Sequence, residues 1–155
     1  MEPEAIEQAY VQIVRELRDG GFEPAQDGWS AQHIAAHVAI NNDAFTAAVR
    51  DLLATGAATY DNERAVELDE LEAYAAGFDN LGEQADDVAR SATEMAAAYG
   101  DLQEADADID IPAVIRHEGR IVRDGPGSLA GLIEGNASYH LAMHVDQLLA
   151  LRPSR

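Results

Sequence analysis

Two histidines, His140 and His144, lie four residues apart near the end of the chain. An α-helix has 3.6 residues per turn, so a helix in this segment places both imidazoles on one face. The face is apolar, because the positions that share it are large hydrophobic residues: Leu129, Leu132, Ile133, Met143, Leu148 and Leu151. Imidazoles in an apolar interior are costly unless they are hydrogen-bonded or bind a metal ion, so this pair is a candidate metal site.

A second pair, His33 and His37, repeats the spacing in an earlier segment that begins with Trp29 and Ser30. Ser30 is a good helix N-cap, and Trp29 can pack against Ile34 as a hydrophobic staple. A helix that starts there places His37 along its apolar stripe, from which it could join the first pair. Histidines four residues apart are often only a solvated or hydrogen-bonded pair, and the sequence leaves that alternative open.

The composition indicates one acidic, helix-rich domain. The chain has 155 residues, enough to bury a core of its own, so we expect a single domain over residues 1–155. Alanine is abundant and only five residues are proline, which favours helices. The net charge is −19, and all ten basic residues are arginine. This charge argues against nucleic acid and anionic membrane surfaces as partners.

Cysteine is absent, which excludes thiolate metal ligands, disulfides and a protein cysteine nucleophile. Any reaction that uses sulfur must therefore take it from a substrate. The sequence has neither an apolar run of membrane-spanning length nor a signal peptide, so we expect a cytoplasmic protein.

Apolar periodicity predicts four amphipathic helices. The first covers about residues 3–18 and the second about residues 30–54. A long third helix begins at a capping box formed by Asp69 and Glu72, and Ser128 caps the fourth.

The segment between the third and fourth helices differs in character. Residues 109–122 have the pattern of two short strands around a turn at Glu118-Gly119, and the glycine- and proline-containing segment 124–127 then closes this hairpin. The predicted fold class is therefore all-α, a four-helix bundle with a short β-hairpin between helices 3 and 4. Metal sites in such bundles form between facing helices.

Two motifs in the chain resemble those of a known family. A tryptophan followed by serine, with a histidine eight residues after the tryptophan, is present as Trp29, Ser30 and His37. A closing His-x-x-x-His-x-x-Gln-Leu motif is present in residues 140–148. The chain is thus similar to the DinB-like superfamily of metal-dependent four-helix bundles. This superfamily includes thiol S-transferases and the N-terminal domain of mycothiol-dependent maleylpyruvate isomerase.

The resemblance implies that His37, His140 and His144 bind a divalent metal ion. Three neutral imidazoles leave coordination positions open on zinc or nickel, as a catalytic site requires. His33 matches no ligand position of the family and is interpreted as a solvated or capping residue.

Three amides lie one helical turn from the expected ligands: Asn41, Asn136 and Gln147. Each could orient an imidazole through its second ring nitrogen, or could be a polar residue near the end of the bundle.

Positive charge is concentrated in and beside the predicted hairpin, at Arg116, His117, Arg120 and Arg123. One interpretation is a solvated strand face. The other is that the three arginines bind an anionic low-molecular-weight thiol as co-substrate.

The leading hypothesis is a metal-dependent transferase that adds a low-molecular-weight thiol to a small electrophilic substrate. A metal-dependent small-molecule hydrolase and a non-catalytic bundle that binds a ligand or partner are the alternatives. The expected partners are a small-molecule substrate and a second copy in a homodimer, since two-fold symmetry is the usual soluble arrangement.

Overall fold

The computed structural model describes residues 1–154 and shows a mainly α-helical protein with a small three-stranded sheet. The helices are α1 (Pro3–Ala9), α2 (Val11–Asp19), α3 (Ala31–Thr55), α4 (Glu63–Val66), α5 (Leu68–Ala75), α6 (Leu81–Asp101), α7 (Glu104–Ala107), α8 (Leu129–Gly135) and α9 (Leu141–Ala150). The strands are β1 (Tyr60–Asp61), β2 (Asp110–His117) and β3 (Arg120–Ser128), and a π-helical turn, Asn136–His140, joins α8 to α9. Among residues 1–154, no helix combines the length and the apolar character that crossing a membrane requires.

The first predicted helix, residues 3–18, is interrupted at Tyr10, which separates α1 from α2. The backbone N–H of Tyr10 donates to the carbonyl of Glu7, three residues earlier, as in a 3₁₀ turn; an α-helical bond would reach four residues back. The apolar stripe continues across the break, since Ile6 and Ile13 are both fully buried. Periodicity alone therefore could not predict this interruption.

The second predicted helix is confirmed as α3, which begins and ends one residue later than expected. The predicted cap is also confirmed, because the Ser30 hydroxyl accepts a hydrogen bond from the His33 backbone N–H at 3.2 Å. Gly56 follows the last helical residue and caps the helix with a left-handed φ of 75°, which suits glycine.

The prediction of one long third helix is wrong, because the chain forms α5 and α6 with a break over residues 76–80. Asn80 starts the second of these helices, since its side chain accepts from the backbone N–H of Glu83 at 3.0 Å. The capping box predicted at Asp69 is wrong as well. The helix already begins at Leu68, so Asp69 lies inside its first turn.

The predicted hairpin is confirmed, with its turn at Glu118 and Gly119. Both residues have left-handed φ values, 48° and 74°, as a two-residue type I′ turn requires. The hairpin is longer than predicted, because residues 124–127 continue β3 and pair with β2 instead of closing the hairpin. The sheet also gains a third strand, β1, which pairs parallel to β2. A two-residue strand has too little periodicity to predict.

The helices that carry the histidines are neighbours. The core is built where α3 and α2 pack along α6, and α3 also contacts α8 and α9. The predicted cap of the last helix is confirmed, since the Ser128 hydroxyl accepts from the Gly131 N–H at 3.2 Å. The largest fully buried side chains of the core are Tyr10, Ile6, Ile13, Leu17, Ile34, Leu52, Leu71, Met95, Ile111, Leu129, Ile133 and Leu148.

Candidate metal centre

The helix α3 carries two histidines with different roles. In its first turn, the backbone N–H of His33 donates to Ser30 Oγ, and His33 Nδ1 accepts from the Ser30 backbone N–H at 3.2 Å. His33 therefore caps the helix through a reciprocal capping box. His37 lies one turn later, is 1% exposed, and contacts His140 of the last helix.

The other two histidines lie on either side of the junction between the π-helical turn and α9. Within this turn the Leu141 N–H donates to the Asn136 carbonyl, five residues earlier. Such single π-helical turns are frequent at functional sites. His140 ends the turn and His144 follows one turn later, so the predicted shared face exists, although no sequence pattern indicates the π-helical geometry.

The three imidazoles meet through their Nε2 atoms. His140 Nε2 lies 3.3 Å from His37 Nε2 and 3.0 Å from His144 Nε2. One ring nitrogen from each residue lies within 4.8 Å of the corresponding atoms of the other two. The structure thus brings together the three histidines that the sequence analysis selected.

Each imidazole is held from behind through its other nitrogen. His37 Nδ1 lies 2.5 Å from the backbone carbonyl of Ala65. The Nδ1 atom of His140 lies 2.7 Å from Asn136 Oδ1, and that of His144 lies 2.8 Å from Gln147 Oε1. Because all three partners are oxygen acceptors, each Nδ1 carries the ring proton and each Nε2 keeps a lone pair.

This donor set fits a divalent metal ion. Three Nε2 lone pairs face one another at hydrogen-bond distance with no proton available to join them, and such a cluster is repulsive unless a cation is present. Neutral imidazoles with fixed Nδ1–H donors are the usual state of histidine ligands to zinc and related ions. His37, His140 and His144 are therefore the residues that could hold the ion.

Burial favours the neutral form of all three rings. The pKa of His37 is lowered well below its ordinary value, first by burial and then by the neighbouring His144 and His140. Burial is also the main cause that lowers the pKa of His140 to about 3. The pKa of His144 is lowered by burial, against the opposing effect of its bond to Gln147. The imidazoles are thus ready to act as ligands without first losing a proton.

The histidines open into a cavity of about 430 Å³. Trp29 forms part of its wall, with its ring centroid 4.8 Å from that of His37 and its plane stacked on His144 at 6.3 Å. The turn of the hairpin forms another part through residues 116–119. An apolar wall beside convergent polar groups is typical of a small-molecule site.

Comparison with known proteins gives one match. The family model described as the mycothiol maleylpyruvate isomerase N-terminal domain matches residues 8–131, well over half of the chain. The chain belongs to this family. The predicted resemblance to DinB-like proteins is thereby confirmed. No curated protein and no solved structure matches the chain.

Membership of this DinB-like family and the histidine cluster support each other from different parts of the chain. The matched residues include His37 and the hairpin but end before His140 and His144. These two histidines join the site through the geometry of the cluster. The two observations together suggest metal binding.

The structure separates the three hairpin arginines. Arg116 lines the cavity, and its guanidinium pairs with the Asp61 carboxylate. Arg120 is exposed, and Arg123 donates to the Pro126 carbonyl at 2.7 Å. Neither is among the residues that line the cavity. Of the three, the structure therefore brings only Arg116 to the histidines.

Sequence reasoning missed several polar residues behind the site. Tyr10 lies in the first predicted helix without any polar role assigned to it, although its hydroxyl is hydrogen-bonded in the core. Asn42 and Ser91 are fully buried and were not singled out. A signal exists at Asn42, because two consecutive asparagines, at positions 41 and 42, directly follow the mostly apolar segment 34–40.

Proposed function

We propose that this protein holds one divalent metal ion, zinc or nickel, through the Nε2 atoms of His37, His140 and His144. The observation that carries the proposal is the convergence of three lone pairs within 3.0–3.3 Å contacts, each fixed by an acceptor on Nδ1. Three protein ligands leave room for a substrate at the ion, as in catalytic sites. The adjoining cavity supports this assignment.

The reaction that we propose is transfer of a low-molecular-weight thiol to a small electrophilic molecule. A bound divalent ion stabilises the anion of a thiol and so lowers its pKa. The chain has no cysteine, so the nucleophilic sulfur belongs to a substrate. The description of the family, which names mycothiol, supports a thiol of this class.

The other residues that line the cavity exclude water and bind the thiol. Trp29 covers the rings of His37 and His144 with an apolar surface and keeps water from that side. Arg116 and His117 lie at the turn that walls the cavity, where their N–H donors can bind a carboxylate of the thiol. Arg116 also keeps its ion pair with Asp61, which holds the guanidinium in place.

The other two arginines of the predicted thiol site do not contact the thiol in this proposal. Arg120 and Arg123 extend the positive charge along β3, outside the lining of the cavity. They can attract an anionic thiol towards the hairpin, since charge acts beyond contact distance in dilute salt. Of the three arginines, only Arg116 is assigned to direct binding of the thiol.

We also propose that the main helices form the four-helix bundle of DinB-like proteins within one domain. The four members are α1 with α2, α3, α6, and α8 with α9. Packing of α2 on α6 and α9, and of α3 on α6, α8 and α9, supports this arrangement. A homodimer stays a prediction, which the sedimentation mass at micromolar protein concentrations tests.

Thiol-dependent turnover tests the proposed reaction. Zinc- or nickel-loaded protein is incubated with a small electrophile, with and without mycothiol, bacillithiol or glutathione. Loss of the electrophile only when a thiol is present supports the transferase, and His144→Ala should abolish it while His33→Ala retains it. Turnover without thiol indicates a hydrolase. Metal binding without turnover of any electrophile indicates a binding protein and contradicts the transferase.

A further inference from the structure

A chain of buried hydrogen bonds begins at Ser91 on α6, which is not among the residues that line the cavity. The Ser91 hydroxyl donates to the carbonyl of Val88 at 3.0 Å. A carbonyl can only accept, so the single proton of this hydroxyl is used there. The Ser91 oxygen must then accept from Asn42, whose Nδ2 lies 3.1 Å away. This contact fixes the orientation of the Asn42 amide, with its oxygen on the opposite side.

The same reasoning continues from Asn42 to the π-helical turn. The Asn42 Oδ1 atom can only accept, so the Tyr10 hydroxyl, 2.6 Å away, donates its proton to it. The Tyr10 oxygen is then the acceptor for Asn136 Nδ2 at 2.8 Å. The Asn136 amide is thereby oriented with Oδ1 towards His140, whose Nδ1 lies 2.7 Å away. Because the Val88 carbonyl can only accept, the donor and the acceptor of every later hydrogen bond in this chain of bonds are determined.

A second branch ends on the same oxygen. The Tyr60 hydroxyl donates to Asn41 Oδ1, so the amide nitrogen of Asn41 faces the other way. This nitrogen donates to Asn136 Oδ1 at 3.1 Å. Two independent branches, one from α6 and one from β1, therefore require the same orientation of the Asn136 amide.

This chain of hydrogen bonds lies in the protein interior, where a lost hydrogen bond cannot be replaced by one to water. Ser91 and Asn42 are fully buried, and Tyr10 and Asn136 are 2% and 7% exposed. Burial raises the pKa of the Tyr10 phenol above its ordinary value, so its hydroxyl keeps the proton that it donates. Reversing one amide would leave buried donors facing donors, which costs free energy at every link.

We propose that Ser91, Asn42 and Tyr10 are positioning residues for the metal centre, although none of them touches it. Their hydrogen bonds hold the oxygen of Asn136 towards His140, which keeps the ring proton of His140 on Nδ1 and its lone pair on Nε2. This inference rests on the proposed metal site, but its first consequence concerns the tautomer of His140 in metal-free protein.

The decisive variant is Tyr10→Phe, which removes one hydroxyl and keeps the ring. The Asn136 amide nitrogen then loses its acceptor, and only the bond from Asn41 still holds the amide oxygen towards His140. A larger fraction of the amide therefore turns over and presents N–H to His140. His140 should shift towards the tautomer with the proton on Nε2. Long-range ¹H–¹⁵N NMR of the metal-free protein measures this tautomer at each histidine ring, and His37, held by Ala65, should not change.

Zinc affinity gives a second readout, measured with zinc alone against a chromophoric chelator. We expect binding about tenfold weaker in Tyr10→Phe than in wild type, the size of effect typical of residues that orient metal ligands. The matched control is Tyr74→Phe. It removes a hydroxyl that donates to Asp87 at 2.6 Å and takes no part in the chain of hydrogen bonds to His140. That control should leave both the His140 tautomer and the zinc affinity unchanged.

A second variant protects the test against a folding failure of Tyr10→Phe. Ser91→Ala removes the far end of the chain and should shift the same tautomer, though to a smaller extent. The inference is overturned if His140 stays protonated on Nδ1 in the folded variants and their zinc affinity stays within twofold of wild type. Lower stability with an unchanged tautomer would also overturn it, since that is the result of a merely structural role.

The two proposals fail in different ways. If wild-type protein binds no zinc or nickel, the proposed metal site is wrong, and the NMR tautomer of His140 alone decides the inference. If wild type binds zinc but Tyr10→Phe and Ser91→Ala match it in affinity and tautomer, the metal site stands and the positioning role is wrong.

Discussion

The Nε2 atom of His140 lies 3.0 Å from that of His144, across the junction between the π-helical turn and α9. Helical backbone on both sides holds the two rings at this distance, and His37 approaches from α3 to 3.3 Å. Because the helical backbone fixes all three ring positions, little reorganisation is needed for binding. Sites that are organised in advance bind more tightly, because less conformational entropy is lost.

Acid should destabilise the metal-free protein through these histidines. In the unfolded chain an imidazole takes up a proton near its ordinary pKa of 6.5, whereas burial lowers the pKa of folded His140 to about 3. Between these values the unfolded state binds more protons, so the free energy of unfolding falls as the pH falls. Urea denaturation of metal-free protein from pH 7 to pH 5 measures this loss.

The substitution His140→Ala isolates the contribution of one imidazole to the pH dependence of stability. Its free energy of unfolding should depend less steeply on pH than that of wild type, by up to about 1.4 kcal/mol per pH unit for one proton. His33→Ala serves as the control for removal of a partly exposed histidine outside the cluster. Equal pH slopes for wild type and His140→Ala would contradict the assigned burial effect.

The metal-ligand candidates could be predicted because their signals are local. The spacing of His140 and His144 fixes a shared helical face, whatever the rest of the fold does. Ser30 fixes the start of α3 through a hydrogen bond to a residue three positions away, which in turn fixes the phase of His37. The hairpin turn is equally local, since Gly119 adopts the left-handed conformation that glycine favours.

The parts that could not be predicted depend on distant contacts. The pairing of β1 with β2 joins Tyr60 to Ala113, and no pattern within a two-residue strand indicates it. The π-helical turn leaves the apolar periodicity of the last helix intact while it changes the local geometry at Asn136. The partners of Tyr10 lie on α3 and in the π-helical turn, so its polar role appears only when the helices are packed.

Gly119→Ala should destabilise the hairpin that walls the cavity. Gly119 has a φ of 74°, and no atom lies within 4 Å of an added Cβ, so backbone strain is the cause rather than a clash. We expect a loss of about 1 kcal/mol in the free energy of unfolding. Gly125→Ala is the matched control, because that site has equal space without a left-handed φ. Equal losses in the two variants would show that the turn conformation is not responsible.

Arg116→Gln should weaken binding of an anionic thiol without changing zinc affinity. The substitution keeps a polar side chain at the cavity wall but removes the charge that we assign to the carboxylate of the thiol. One charge-assisted hydrogen bond corresponds to about a tenfold rise in KM for the thiol. Steady-state kinetics and zinc competition measure the two quantities separately.

Arg64→Gln is the matched control for this loss of charge, since Arg64 pairs with Glu70 at the surface. The same substitution at Arg120 and Arg123 tests whether binding of the thiol extends along β3. A KM that rises equally in Arg64→Gln and Arg116→Gln would assign the effect to net charge and would contradict a specific role for Arg116.

The metal content of histidine variants is the sharpest test of the three-histidine metal site. Wild-type protein is loaded with zinc, separated from free ion, and analysed beside the single alanine variants. We expect about one zinc ion per chain in wild type, His33→Ala and His117→Ala, and loss of most of it in His37→Ala, His140→Ala and His144→Ala. Stoichiometric zinc in any of the last three variants, or none in the wild type, would show that the three histidines do not form the metal site.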